Sequence, residues 1–291
     1  MRAVHSFWSA PNRSRNGGEI EIPDYELLTM MLSALKWREL NGPVIMVTDS
    51  AGAAFLERAG LLNLWSEPID TALDRIDPAT DPFRFWAAGK LYALSRVDAP
   101  CVMLDTDIVV WQALSERLTN AAVAAHREEL EPGIYPDPAT AFVLAEDYAF
   151  PASWDFTLSA ANTAFLYLPD NGLKDDYIAA AFAFMRALRN DAVDPTVSMC
   201  FAEQRILPMC AAARGVALHT LLAEDALNDQ DFITHLWGHK NELAASPERR
   251  VAYCLRCVLR LLRDFPEWES VLAENEQIKP YYEGLRETKI G

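Results

Sequence analysis

The run CVMLDTDIVVW, residues 101 to 111, places the tightest limit on how this chain can fold. Laid out as an extended strand, it puts Cys101, Met103, Val109 and Trp111 on one side and Val102, Leu104, Ile108 and Val110 on the other. A strand that is apolar on both faces needs cover on both faces, the situation of a central strand in an α/β sheet. Asp105 and Asp107 interrupt the run. In a strand they would share a face, with Cα atoms roughly 7 Å apart. Two unpaired carboxylates at such a place cost several kcal/mol and repel each other. Either a cation meets them, or the strand ends at Leu104 and the aspartates cap a solvated turn.

The residues before this run alternate between strand and helix signals. RAVHSFWS reads as a strand, followed by the turn-rich loop APNRSRNGGE. Pro23 opens a helix that closes at Asn41-Gly42, PVIMVTD is a strand, and Ser50 caps a helix stopped by Gly60. Asp81 caps a helix spanning PFRFWAAGKLYALSRV, which leads into the 101–111 run. Strand and helix in alternation predict a parallel sheet. Further on, EELEPGIYPDPATAF is a proline-rich loop, NTAFLYL a strand and residues 173–190 a helix. Residues 195–215 form a helix in which Pro208 is the candidate kink, VALHT and DFITHLWG are strands, and the remainder is helical. The expected fold class is α/β: a Rossmann-type mixed, mainly parallel sheet flanked by helices, with a helical C-terminal appendage.

Charge narrows the partners. A net charge of −16 argues against bulk electrostatic capture of nucleic acid or anionic lipid. An anionic ligand would need a local cationic site. The N-terminal stretch carries Arg2 and His5 inside its apolar part, so no signal-peptide core is expected, and no run approaches a membrane span. Five cysteines, an odd number without a secretory signal, fit a reducing cytoplasm. Cys254 and Cys257 form a lone C-x-x-C on a predicted helix; buried thiols are the favoured reading and a zinc or redox site the alternative.

An apolar strand leading into D-x-D and followed by more apolar residues resembles the nucleotide-sugar glycosyltransferases of the GT-A fold, especially the glycogenin-like and bacterial capsular-polysaccharide-type sugar transferases. The resemblance extends over residues 90 to 240. It implies that Asp105 and Asp107 hold Mn²⁺ or Mg²⁺, hard cations suited to carboxylates and phosphate oxygens. Lys90 stands where these enzymes carry a basic donor contact on the helix before the D-x-D strand. THLWGHK resembles their H-x-x-G-x-x-K element, with His235 as third metal ligand, Gly238 approaching the diphosphate and Lys240 neutralising it. Lys240 comes one residue early, and His239 is a rival to His235. NTAFLYL resembles the strand that faces the sugar, which carries Asn162 over, with Ala164 where glycine is usual. FAEQRILPM resembles the D-Q-x-x-L-N segment near the reacting centre and carries over Glu203 and Gln204. The opening HSFWS resembles the first strand of the capsular-type enzymes, which puts Ser6, Trp8 and Asp49 near the nucleoside, beyond the carboxyl ends of parallel strands.

The implied organisation is a GT-A-like catalytic domain over residues 1–240 and a helical extension over 241–291. The implied reaction moves a sugar from a UDP- or GDP-type donor to a saccharide or other hydroxyl acceptor, with retention, while cation and lysines stabilise the leaving diphosphate. No second carboxylate at identifiable spacing announces a general base. Two rivals stay open: a haloacid-dehalogenase-type phosphatase, whose loop DTDIV also fits, and a glycosyltransferase-like protein that binds a nucleotide sugar without turnover.

Overall fold

The computed structural model describes residues 1–189, 193–223 and 231–290. In chain order the elements are β1 (Arg2–Phe7), α1 (Ser9–Arg15), α2 (Asp24–Leu40), β2 (Val44–Thr48), α3 (Ser50–Arg58), α4 (Ala88–Leu94), β3 (Cys101–Leu104), β4 (Ile108–Val110), β5 (Ala122–Glu128), α5 (Pro138–Ala141) and β6 (Ala160–Leu168). They continue with α6 (Asn171–Ala187), α7 (Pro195–Cys200), α8 (Ile206–Arg214), β7 (Leu218–Thr220), β8 (Ile233–His235), α9 (Lys240–Ala245), α10 (Pro247–Asp264), α11 (Glu269–Glu274) and α12 (Lys279–Ile290).

Six strands form one sheet in the order β2-β1-β3-β6-β5-β7. β1 runs parallel to β2 and β3, β5 runs parallel to β7, and β6 is antiparallel to both of its neighbours. The carboxyl ends of β1, β3 and β5 therefore meet at one edge, beside the start of β6. The period-2 alternation read from residues 101–104 holds: Val102 and Leu104 join a cluster with Leu28 of α2 and Leu261 of α10, whereas Cys101 and Met103 join one with Leu91 of α4, Tyr177 of α6 and Leu207 of α8. Helices cover both faces, and the sheet is mixed and mainly parallel, as expected.

The chain beyond Leu104 departs from expectation. Residues 101–111 are not one strand. β3 ends at Leu104, residues 105–107 turn, and β4 leaves the sheet to pair with β8, Ile108 opposite His235. The two aspartates thus occupy a turn between two sheets rather than one face of a central strand. Three smaller corrections accompany this. Residues 10–15, expected as loop, are helical together with Ser9, expected at the end of the first strand; the helix expected from Pro82 begins only at Ala88; and Asp49, not Ser50, caps α3, its side chain accepting from the Gly52 N–H at 2.7 Å. β5 was not anticipated at all. The helix expected over residues 173–190 spans Asn171–Ala187, and Leu188, extended in backbone, ends it.

The C-terminal helices dock on α2. Arg250 donates to Asp24 at 2.8 Å, and the Tyr253 and Thr29 hydroxyls are 2.8 Å apart. Cys254, Cys257, Val258 and Leu261 are buried in the shared cluster. Both cysteines are free, in line with the buried-thiol reading. Among the described residues, no helix is long and apolar enough to cross a membrane.

Candidate active site

A cleft of about 1050 Å³ opens where β1, β3 and β5 end. Ser6 and Trp8 from the end of β1, Lys90 from α4, Asp105 and Asp107 from the turn, Asn162 from β6, Glu203 and Gln204 from the segment after α7, and His235 and Lys240 from the β8 region all line it. Residues scattered over more than two hundred positions of sequence are thus brought together by the sheet edge.

Lys90 ties one half of the cleft together. Its Nζ lies 2.9 Å from Asp105 Oδ1, donates to the Thr163 carbonyl at 3.3 Å, and forms a close ion pair with Glu203 Oε1. Thr163 Oγ1 donates to the same Glu203 oxygen at 2.5 Å, and the Tyr177 hydroxyl donates to the Glu203 carbonyl at 2.6 Å. Burial works against the lysine's charge, but the two carboxylates outweigh it, and its pKa is raised. Burial raises Asp105 to about 7 against the opposing pull of Lys90, with the charges of Asp107 and Glu203 adding to the rise. Glu203 enters the cleft from a π-helical turn, Phe201–Arg205, that separates α7 from α8. Such turns insert an extra residue per turn and recur at functional sites. Pro208 explains its position: with no N–H and a ring that clashes with the carbonyl four residues back, it disfavours a regular helix at residue 204.

Gly89 sets the distance between α4 and the end of β1. A Cβ there would sit 2.6 Å from Trp8 Cβ and 3.3 Å from Ser6 Oγ. Gly89→Ala is expected to destabilise by about 1–3 kcal/mol through overpacking, although the same change in an open helix is stabilising by up to about 1 kcal/mol. Urea denaturation checks the sign, and a more stable variant would contradict the close packing.

Asp107 heads the other half. Its Oδ2 is 2.9 Å from Lys240 Nζ, which also reaches Glu26 at 3.3 Å, and its Oδ1 is 3.8 Å from His235 Nε2. Burial raises the Asp107 pKa, but Lys240 and His235 more than compensate, and it falls below the usual range. Burial lowers His235 to about 4, so the imidazole is neutral at pH 7 and has a lone pair to give. Two ligands about 2.1 Å from one ion stand roughly 3 to 4 Å apart, so the Asp107–His235 spacing fits a shared hard cation. Asp105 is drawn aside by Lys90. Among the described residues no group of three His, Cys, Asp or Glu side chains is placed to hold a metal ion. The three expected ligands share a cleft, and Asp105 would have to exchange Lys90 for the cation to join the other two.

Two expected residues lie elsewhere. Asp49 is buried and does not line the cleft; besides capping α3 it accepts from the Ser9 N–H at 3.0 Å and hydroxyl at 2.8 Å, anchoring the start of α1. Gly238 is exposed, outside the lining, and a Cβ there would meet open space. Asn162 accepts from the Ala164 N–H at 3.0 Å and donates to Glu128 Oε1 at 3.3 Å, so it positions a neighbour more directly than it presents itself. Gln204 accepts from the Tyr135 hydroxyl at 2.5 Å.

A family model matches residues 1–269 of this sequence. The chain belongs to DUF6734, a family of unknown function. Among solved structures, this DUF6734 chain is similar to the apo form of mouse xyloside xylosyltransferase 1, at 13% identity and a TM-score of 0.39, over 82% of this chain and 98% of that one. It is also similar to the apo bifunctional glycosyltransferase WbbM, at 13% identity and a TM-score of 0.37, over 82% of this chain and 48% of that one. No curated protein sequence matches it.

The cleft of the DUF6734 chain also holds residues that the sequence patterns passed over. Glu128 ends β5, Tyr135 comes from the proline-rich loop, and Trp237, 65% exposed, lies at the cleft stacked on His235 with ring centroids 6.2 Å apart. Of these three, Trp237 alone lies in a segment that the resemblance marks, THLWGHK, two residues after His235.

Proposed function

We propose that this protein transfers a sugar from a nucleoside diphosphate donor to an acceptor hydroxyl, with a divalent cation, Mn²⁺ or Mg²⁺, in the cleft. The observation that carries the reading is the D-x-D turn at the sheet edge, flanked by two lysines and a neutral imidazole. Asp107 and His235 would hold the ion, with Asp105 joining once Lys90 releases it. The cation supplies charge stabilisation for the departing diphosphate. Lys90 and Lys240, whose ammonium groups already lie against these carboxylates, then have phosphate oxygens as alternative partners, which lets a chain of net charge −16 hold a polyanion. Ser6 and Trp8 form the wall that fits the nucleoside, and Glu203 with Gln204 line the sugar side. The GT-A resemblance implies a UDP- or GDP-type donor and retention at the anomeric carbon.

One observation favours a second reading, in which the protein binds the nucleotide sugar without turnover: both aspartates are engaged by lysines. A panel of nucleoside-diphosphate sugars with Mn²⁺ separates the two. Release of nucleoside diphosphate with at least one donor, lost on chelation, is the expected result, and product NMR should show the donor's anomeric configuration retained. Binding with no release from any donor would leave only the second reading. The phosphatase rival gains no support, because its loop follows the first strand of the core domain, whereas this D-x-D follows β3.

A further inference from the structure

We propose that Trp237 is a platform on which a pyranose ring of the substrate packs, an inference whose substrate class rests on the glycosyl-transfer reading above. Seven large apolar side chains are exposed among the described residues, and exposed apolar residues scattered singly are ordinary on a protein surface. Trp237 differs from the other six in two respects. It is the most exposed, at 65% against 37–59%, and it alone of the seven lines the cleft. The chain's seven other tryptophans are all buried or half-buried.

The fold holds the indole in place. β8 ends at His235, and the next residue, Leu236, is buried in the core with its N–H donating to the Asp107 carbonyl at 3.0 Å. With Leu236 turned inward, the short turn Trp237–His239 carries the indole out to the cleft, and the His239 N–H closes the turn on the Leu236 carbonyl at 2.8 Å. One face of the indole packs on the His235 imidazole, with ring centroids 6.2 Å apart and planes inclined by 23°. Among the described residues no other aromatic ring packs on it. A flat side chain with two torsions, already held on one face, has little freedom left to lose when a ligand covers the other.

Position selects the occupant. The imidazole behind the indole is the one that faces Asp107 at 3.8 Å, so a group that covers the indole lies close to the Asp107–His235 pair. In a nucleoside diphosphate sugar the ribose and the phosphates separate the base from whatever holds the diphosphate. The groups adjacent to the diphosphate are the transferred sugar and the acceptor that meets it. A pyranose suits this surface, because it presents weakly positive C–H groups to the negative face of the indole while its hydroxyls reach the polar residues around. The chemistry is the same whether the ring belongs to the donor or to a saccharide acceptor.

Trp237→Ala tests the platform by titration calorimetry in two arms. The acceptor probes are the methyl α- and β-pyranosides of glucose, galactose and mannose, in the presence of Mn²⁺ and UDP or GDP. The donor probes are UDP-glucose, UDP-galactose and GDP-mannose with Mn²⁺, each compared with its bare nucleoside diphosphate. The wild type should bind at least one glycoside, or one nucleotide sugar more tightly than its nucleotide, and Trp237→Ala should weaken that binding by about tenfold or more. A loss with the glycosides assigns the ring to the acceptor, and a loss with the nucleotide sugars assigns it to the donor. Folding and the Mn²⁺-dependent binding of bare UDP or GDP should match wild type. A wild type that gains nothing from any saccharide, or a loss smaller than about tenfold in both arms, would overturn the assignment. So would an equal loss of bare nucleotide, which would mean that Trp237 acts only by holding His235. A wild type that binds a glycoside through Trp237 but no nucleotide with Mn²⁺ would keep the platform and overturn the transfer reading, so the two failures are distinct.

Discussion

Lys90→Met is expected to lower the unfolding free energy by about 3–5 kcal/mol, because it leaves Asp105 and Glu203 in the cleft wall without their shared cation. For a chain of this size that is a fall in melting temperature of roughly 10 °C. The lysine side chain is only 14% exposed and Glu203 only 9%, so solvent cannot replace the lost partner. Methionine keeps most of the stem volume, which isolates the charge. Adding Glu203→Gln to Lys90→Met should recover part of the loss, since one of the two stranded carboxylates is then neutral. A double-mutant cycle by chemical denaturation measures this coupling. A Lys90→Met protein within about 1 kcal/mol of wild type would show that the pair is solvated and that the network does not hold the wall together.

Asp107→Ala should separate structure from ligand binding. Its partner Lys240 is 35% exposed and keeps Glu26 at 3.3 Å, so no buried charge is stranded. Stability in the absence of ligand should change by about 1 kcal/mol or less. The stabilisation gained from Mn²⁺ with nucleoside diphosphate should vanish, because the residue that faces both His235 and Lys240 is gone. At a ligand concentration of about 100 times Kd that loss amounts to roughly 2.7 kcal/mol. A variant that keeps the metal-dependent shift would remove Asp107 from the site.

Much of the fold could be read from local pattern. The alternation of Cys101 to Leu104 placed β3 between two helical layers, and the Pro23, Gly42 and Gly60 signals marked the ends of α2 and α3. What could not be read depended on distant partners. Nothing within IVVW says that Ile108 will pair with His235, more than a hundred residues later, so the strand was extended through a turn. β5 escaped because AAVAA carries alanines, which lack the branched and aromatic side chains that mark strands. Its invisibility hid Glu128. Pro208 did flag a helix irregularity, but the consequence falls one turn earlier, at Glu203, where the π-helical turn points the carboxylate at Lys90. The cleft residues from Lys90 to Lys240 were found through family resemblance, and the sheet edge brings them together; Asp49 and Gly238, one committed to capping and the other to solvent, were not separable from site residues by type alone.

The most direct test of a metal-dependent nucleotide-sugar site is the wild-type melting temperature with Mn²⁺ and UDP, GDP, CDP or ADP, each repeated with chelator. One nucleotide should raise it, by the equivalent of roughly 2.7 kcal/mol at 100 times Kd, and chelation should return it to the ligand-free value. No metal-dependent rise with any of the four would contradict the account.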